Sequence, residues 1–192
     1  MVNRFLTLLG TLAFAAPLAI AQTSTWVPDK PHCEVDFTIF HHSLSNVRGR
    51  FGNIGGAIVL NESDITKSTV NVTIDVTTVD TGFAMRDTHL KSPDFFDVAQ
   101  FPTSTFVSTS VAKSGSGLTV SGNLTLHGVT KPVTLQVEGP TGPLTGDDKK
   151  PHSGFSATTT ISRKDFGIGG KFPAAVIGDE VKLTMDLDVA KQ

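Results

Sequence analysis

Alternation of apolar and polar side chains with a period of two recurs along most of this chain, and it constrains the fold more than any other feature. Val35, Phe37, Ile39 and His41 interleave with Asp36, Thr38, Phe40 and His42. Val70, Val72, Ile74 and Val76 repeat the pattern, as do Leu118, Val120, Gly122, Leu124 and Leu126. Val133, Leu135 and Val137 follow, and Val181, Leu183, Met185, Leu187 and Val189 end the series. A helix turns through 3.6 residues, so a strict period of two cannot give it one apolar face, whereas a strand shows successive side chains to opposite faces. The chain therefore reads as antiparallel sheet with one face apolar and one polar.

The pattern predicts eight strands, at about 33–42, 46–60, 68–78, 103–111, 117–127, 131–138, 153–163 and 180–190. Turn-forming clusters separate them: Asn61-Glu62-Ser63-Asp64, Lys113-Ser114-Gly115-Ser116-Gly117 and Gly139-Pro140-Thr141-Gly142-Pro143. Gly55-Gly56 predicts a bend inside the second strand. Residues 83–99 break the alternation, and their spacing predicts one or two helical turns inserted between strands three and four. Strands with one apolar face must close on themselves or pack on a second sheet. Eight strands suit a closed barrel just wide enough for side chains or one small ligand. A two-sheet sandwich fits the alternation nearly as well, and pattern alone does not choose.

The first residues read differently. Arg4 precedes an apolar run from Phe5 to Ala16, and Ala19-Ile20-Ala21 supplies the small-x-small pattern of a signal peptidase site. Residues 1–21 are expected to be a signal peptide cleaved after Ala21, with an uncleaved anchor as the alternative. Residues 22–192 then form one exported domain, periplasmic or secreted. No later stretch is apolar for long enough to span a bilayer as a helix, so stable membrane insertion is not expected. The formal charge of −2 becomes −3 without Arg4, and no basic block is present, which argues against nucleic acid as a partner. Cys33 is the single cysteine, so no intrachain disulfide can form. It is either a reactive thiol or a small strand residue, and the lack of a neighbouring basic cluster favours the second reading.

Several segments together resemble the YceI-like family of proteins. They are Asp29 to His41; Val47-Arg48-Gly49-Arg50-Phe51; Arg86 to Asp97; Phe101 to Thr109; Gly122 to Val133; and Ile161 to Ile168. They occur in order and span the chain beyond the leader. One departure is Cys33, where the family usually has Ser. The resemblance implies a lipocalin-like eight-stranded antiparallel barrel that holds a polyisoprenoid chain or related amphiphile in a long internal tunnel. No covalent cofactor is implied. The ligand the resemblance implies is an isoprenoid, an isoprenoid quinone or a fatty chain held without a bond. The protein is expected as a monomer or homodimer.

Alternate positions name the candidate tunnel wall: Phe37, Ile39, Val72, Ile74, Leu124, Leu126, Leu135, Leu183 and Met185, with Phe51 and Phe106. Phe83, Met85, Leu90, Phe95 and Phe96 of the insert are expected to cover one end of the barrel, as a fixed plug or as a lid. Arg86, His127 and Arg163 are candidates for a polar head group. Local ion pairing or capping is the alternative for Arg86-Asp87 and Arg163. No metal site is expected, because adjacent His41 and His42 point to opposite faces of a strand. No nucleophile elbow or phosphate loop occurs, so catalysis is not expected. The leading expectation is a lipid carrier. An envelope protein with a barrel filled by its own side chains and a small lipid-modifying enzyme are the rivals.

Overall fold

The computed structural model describes residues 22–192. The expected leader, residues 1–21, lies outside the described residues. Nine strands form one sheet: β1 (Thr23–His41), β2 (Ser45–Phe51), β3 (Gly55–Asn61), β4 (Thr69–Asp75), β5 (Thr103–Ser114), β6 (Gly117–Leu126), β7 (Val129–Thr145), β8 (Pro151–Ser162) and β9 (Ile177–Lys191). One α-helix, α1 (Ala84–Lys91), interrupts them. No helix among the described residues is long and apolar enough to cross a membrane.

The nine strands make eight staves. β2 and β3 both run antiparallel to β1, β2 against its second half (Val35 opposite Phe51) and β3 against its start (Trp26 opposite Ile58). They are two halves of one stave, broken at Gly52, Asn53 and Ile54. The expected bend in this strand is present, a few residues earlier than Gly55-Gly56. Ile54 turns into the core at the break and is 1% exposed. β1 also pairs with β9, from Trp26 opposite Lys191 to His41 opposite Ile177, and this ladder closes the barrel. Closure is one of the two arrangements the alternation allowed: among the described residues every stave has neighbours on both sides, and the apolar face has only the interior to occupy.

Two boundaries differ from the sequence reading. The first strand starts at Thr23 rather than near residue 33. Its prolines, Pro28 and Pro31, are accommodated by a bulge, since the ladder jumps from Pro28–Val189 to Cys33–Leu187 and residues 29–32 face Asp188 alone. Residues 139–143 are not a turn. They lie within β7, where the register slips between Glu138 and Thr141 and again between Thr141 and Leu144. Proline lacks the N–H that a regular ladder needs and is found at such irregularities. The reversal comes later, where Gly146 N–H donates to the Lys150 carbonyl at 2.9 Å.

The insert has a structural reason. β4 ends at Asp75 opposite Thr103, while β2 continues toward the end of the barrel with only a single bridge, Arg50 opposite Asp80, on its far side. Residues 76–101, α1 included, fill the gap this leaves in the wall. Thr81 fastens the start of the segment, its amide donating to Asp87 Oδ1 at 2.9 Å.

Candidate functional site

The inward faces of the staves enclose two chambers along the barrel axis. The upper has a volume of about 350 Å³ and opens at the end formed by the β1–β2 turn, α1 and the loop before β9. The lower, about 110 Å³, lies deeper. Val35, Ile74, Leu124 and Leu183 border both and form the constriction between them.

Phe37, Ile39, Phe51, Ile74, Leu90, Phe95, Phe96, Leu124, Leu126 and Leu183 line the upper chamber. Val72, Phe106, Leu135 and Met185 join the wall of the lower. Phe83 and Met85 do not belong to either wall: they are 56% and 76% exposed. The helix explains the correction. Arg86 and Leu90, four residues apart, share the face that looks into the chamber, and Met85 is rotated about 100° from Arg86. Phe83 stands just before the helix begins.

The three head-group candidates separate cleanly. Arg163 borders the chamber but is 3% exposed, and all its donors are consumed. Its Nε donates to the Gly178 carbonyl at 2.9 Å. Its Nη1 donates to the Ile168 and Gly169 carbonyls at 2.9 and 2.6 Å. Its Nη2 donates to the Phe172 and Ile177 carbonyls at 2.8 and 2.9 Å. A guanidinium has five N–H groups, so none remains for a ligand. Asp179 balances the charge at 3.0 Å.

His127 is not among the residues that line either chamber. It and Gly128 form the two-residue β6–β7 turn, with φ of 51° and 73°, the pair of positive values that a type I′ hairpin requires. Its Nδ1 lies 3.0 Å from the Phe166 carbonyl, away from both chambers. Arg86 alone stands at the mouth. Its Nε donates to Thr81 Oγ1 at 2.7 Å and its Nη2 to the Thr81 carbonyl at 2.9 Å. Among the described residues no protein group accepts from its Nη1.

Alternation did not reveal one part of the wall. Ile168, Phe172 and Val176 close one side of the upper chamber from the loop between β8 and β9, which has no period to read. Arg163 shapes that loop from beneath. Phe172 stacks on Phe95 of the insert, with ring centroids 5.1 Å apart. Asp94 bonds both Lys171 and His89, and these hydrogen bonds, Lys171 first, hold its carboxyl below the usual carboxylate range. Ser104, a polar residue in the wall, spends its hydroxyl on the Thr125 carbonyl at 2.8 Å. Such a wall offers a guest dispersion and water exclusion, with polar bonding confined to the mouth.

Residues 26–189 match the YceI-like domain. Protein YceI of Salmonella newport is 39% identical over 188 residues, covering 96% of this chain and 95% of the relative. A UPF0312 protein of Yersinia enterocolitica is 38% identical over 183 residues, covering 93% and 92%. Among solved structures, the Campylobacter jejuni YceI protein superposes with a TM-score of 0.70 at 29% identity, covering 78% of this chain and 87% of that one. Burkholderia cenocepacia BcnA superposes at 0.75 with 24% identity, covering 84% and 98%. A polyisoprenoid-binding domain from Saccharophagus degradans shares the fold at 0.63 and 16% identity, covering 89% and 100%. The chain belongs to the YceI-like family.

Proposed function

We propose that this protein is a lipid carrier that takes one isoprenoid or similar long apolar chain tail-first into the upper chamber and performs no chemistry on it. The observation that carries this reading is the chamber itself, about 350 Å³, walled by apolar side chains and open at one end. An apolar protein cavity of about 150 Å³ already admits benzene. A domain of the same fold is described as polyisoprenoid-binding, which supports the choice of guest. Each buried CH₂ contributes ~0.8 kcal/mol, so a tail of about ten carbons yields roughly 8 kcal/mol gross. Association and tail ordering offset several kcal/mol of that, so the affinity grows with chain length and selectivity among tails is loose. Arg86, which borders the chamber and whose Nη1 has no protein acceptor among the described residues, is the residue we assign to a polar head group.

Native mass spectrometry of protein purified without detergent tests the carrier reading: a co-purified apolar molecule is expected. Leu124→Trp, which fills the constriction, should shorten the longest tail accepted while leaving short tails bound. An empty barrel that takes up no tail of any length would establish the filled-barrel alternative. We further infer that residues 1–21 are removed on export, leaving a periplasmic or secreted protein. The mature chain should then begin at Gln22, and membrane-bound protein retaining Met1 would refute this.

A further inference from the structure

We propose that Asp29, His32, His152 and Asp188 form an exchangeable binding site for a divalent ion of the Zn²⁺ class on the outer wall of the barrel, apart from the chamber mouth. The four residues come from three places in the sequence. Asp29 and His32 lie in the β1 bulge, where residues 29–32 face a single partner on β9, and that partner is Asp188. Bulges re-aim side chains that a regular ladder would send elsewhere. His152 stands on β8 two residues before Gly154, which is the cross-strand partner of Asp188, so the imidazole and the carboxylate share a face.

The donor atoms have already converged. Asp29, His152 and Asp188 each offer a ligand atom within 4.8 Å of the others. His152 Nδ1 is 2.6 Å from Asp188 Oδ1, and His32 Nδ1 is 2.7 Å from Asp29 Oδ2. Zinc bonds to imidazole nitrogen and carboxylate oxygen are about 2.0–2.2 Å, so tetrahedral donors stand roughly 3.3 Å apart. Side-chain shifts of about 1–2 Å bring Asp29, His152 and Asp188 to those distances, and His32, which lies outside that converged trio and is held to it only through Asp29, swings further to complete the set.

A further contact supplies the outer-shell partner that a metal-bound imidazole takes. His152 Nε2, the nitrogen turned away from Asp188, lies 3.2 Å from Asp148 Oδ1. With metal on Nδ1, the Nε2–H donates to that carboxylate. This carboxylate–histidine–metal arrangement fixes the tautomer and orients the ring. The site borders a surface crevice of about 820 Å³, which leaves room for water ligands and for the ion to exchange.

The donor set selects the ion. Two imidazoles and two carboxylates suit Zn²⁺ and its first-row neighbours, whereas Ca²⁺ and Mg²⁺ prefer all-oxygen surroundings. A soft ion such as Cu(I) lacks its ligand. Cys33, the nearest sulfur in the chain, donates its S–H to the Asp188 carbonyl at 3.0 Å and is buried. Two carboxylates neutralise a dication without residual charge. The bound ion would tie the β1 bulge to β8 and β9 across the closure ladder.

Calorimetry on the untagged, EDTA-treated mature protein tests the site with ZnCl₂ as the probe and CaCl₂ as the comparison. One equivalent of Zn²⁺ is expected, with no response to Ca²⁺. His152→Ala and Asp188→Asn should each weaken Zn²⁺ binding by at least tenfold. Asp148→Asn should weaken it by about 10–100-fold, the usual effect of removing an outer-shell partner. His41→Ala, at the other end of β1, should change nothing. Should a variant fail to fold, imidazole NMR of the unaltered protein decides: His32 and His152 resonances should shift with the first equivalent of Zn²⁺. Absence of Zn²⁺ binding, or binding that survives both His152→Ala and Asp188→Asn, overturns the proposal and leaves these residues as a hydrogen-bonded clasp on the bulge. Neither outcome bears on the carrier reading, because no residue of the metal site lines the chambers.

Discussion

Arg163 shows what a single residue can hide. A buried arginine with every N–H on a backbone carbonyl organises the loop that walls the chamber, because those carbonyls belong to Ile168, Gly169, Phe172, Ile177 and Gly178. Arg163→Met leaves Asp179 with Lys164 as its one counter-charge and orphans the five carbonyls together, a loss of roughly 3–5 kcal/mol that thermal or denaturant unfolding will read. Lys at this position should not rescue it, having three donors and no planar fork. The sequence marks Arg163 as a charge beside the tunnel and is silent about its partners, since backbone carbonyls leave no trace in residue identity. Cys33 was more legible. The lack of a nearby basic cluster pointed to an inert thiol, and burial, the largest cause, pushes its pKa up to about 11. Thiol reagents at neutral pH should label it only after unfolding. Folded protein keeps its proton above pH 9, where the unfolded chain releases it, so this group's contribution to stability falls as pH rises from about 9 toward 11. Fast labelling of the native protein at pH 7 would contradict the assignment.

Among the elements, the strands whose side chains alternate were legible and the segments that interrupt them were not. β4, β6 and β9 each place one apolar row inside the barrel, as their period requires. β7 was cut short in the reading because Pro140 and Pro143 look like turn residues, while the fold absorbs them in two register slips. The insert was foreseen as helical, yet its apolar residues divide: Leu90, Phe95 and Phe96 pack inward, while Phe83 and Met85 face solvent. That division leaves the choice between lid and plug open to test. One helix joined to the opposite loop by the Phe95–Phe172 stack and the Asp94–Lys171 pair is a light attachment beside a continuous β-ladder. Hydrogen exchange should show amides of residues 84–99 gaining protection when an isoprenoid is added, while β6 stays unchanged. Protection equal to that of β6 without ligand, and unaltered by it, would identify the segment as a fixed plug.

At the level of the whole molecule, the alternating stretches were enough to reach an antiparallel sheet with one covered apolar face, because such a face in a chain of this size has few ways to be covered. What the alternation left undecided between barrel and sandwich is decided by one ladder, β1 with β9, along which Phe37 meets Leu183 and Val35 meets Met185. The same ladder brings the two ends of the domain side by side: the Gln192 amide donates to the Thr25 carbonyl at 2.9 Å. A circular permutant joining Gln192 to Gln22 through a short Gly/Ser linker, opened in the exposed Ser114–Gly117 hairpin, should therefore fold to the same barrel, with an unchanged circular dichroism spectrum and unchanged tail binding. A permutant that unfolds would show that the native order of the strands matters beyond their adjacency. The closure ladder also sets a clock. Its partners stand about as far apart in sequence as the domain allows, and the residues that border both chambers include Leu183 on the last strand. Without β9 paired to β1 the interior is an open gutter, so on the carrier reading proposed above a greasy guest is enclosed only once the last strand is in place.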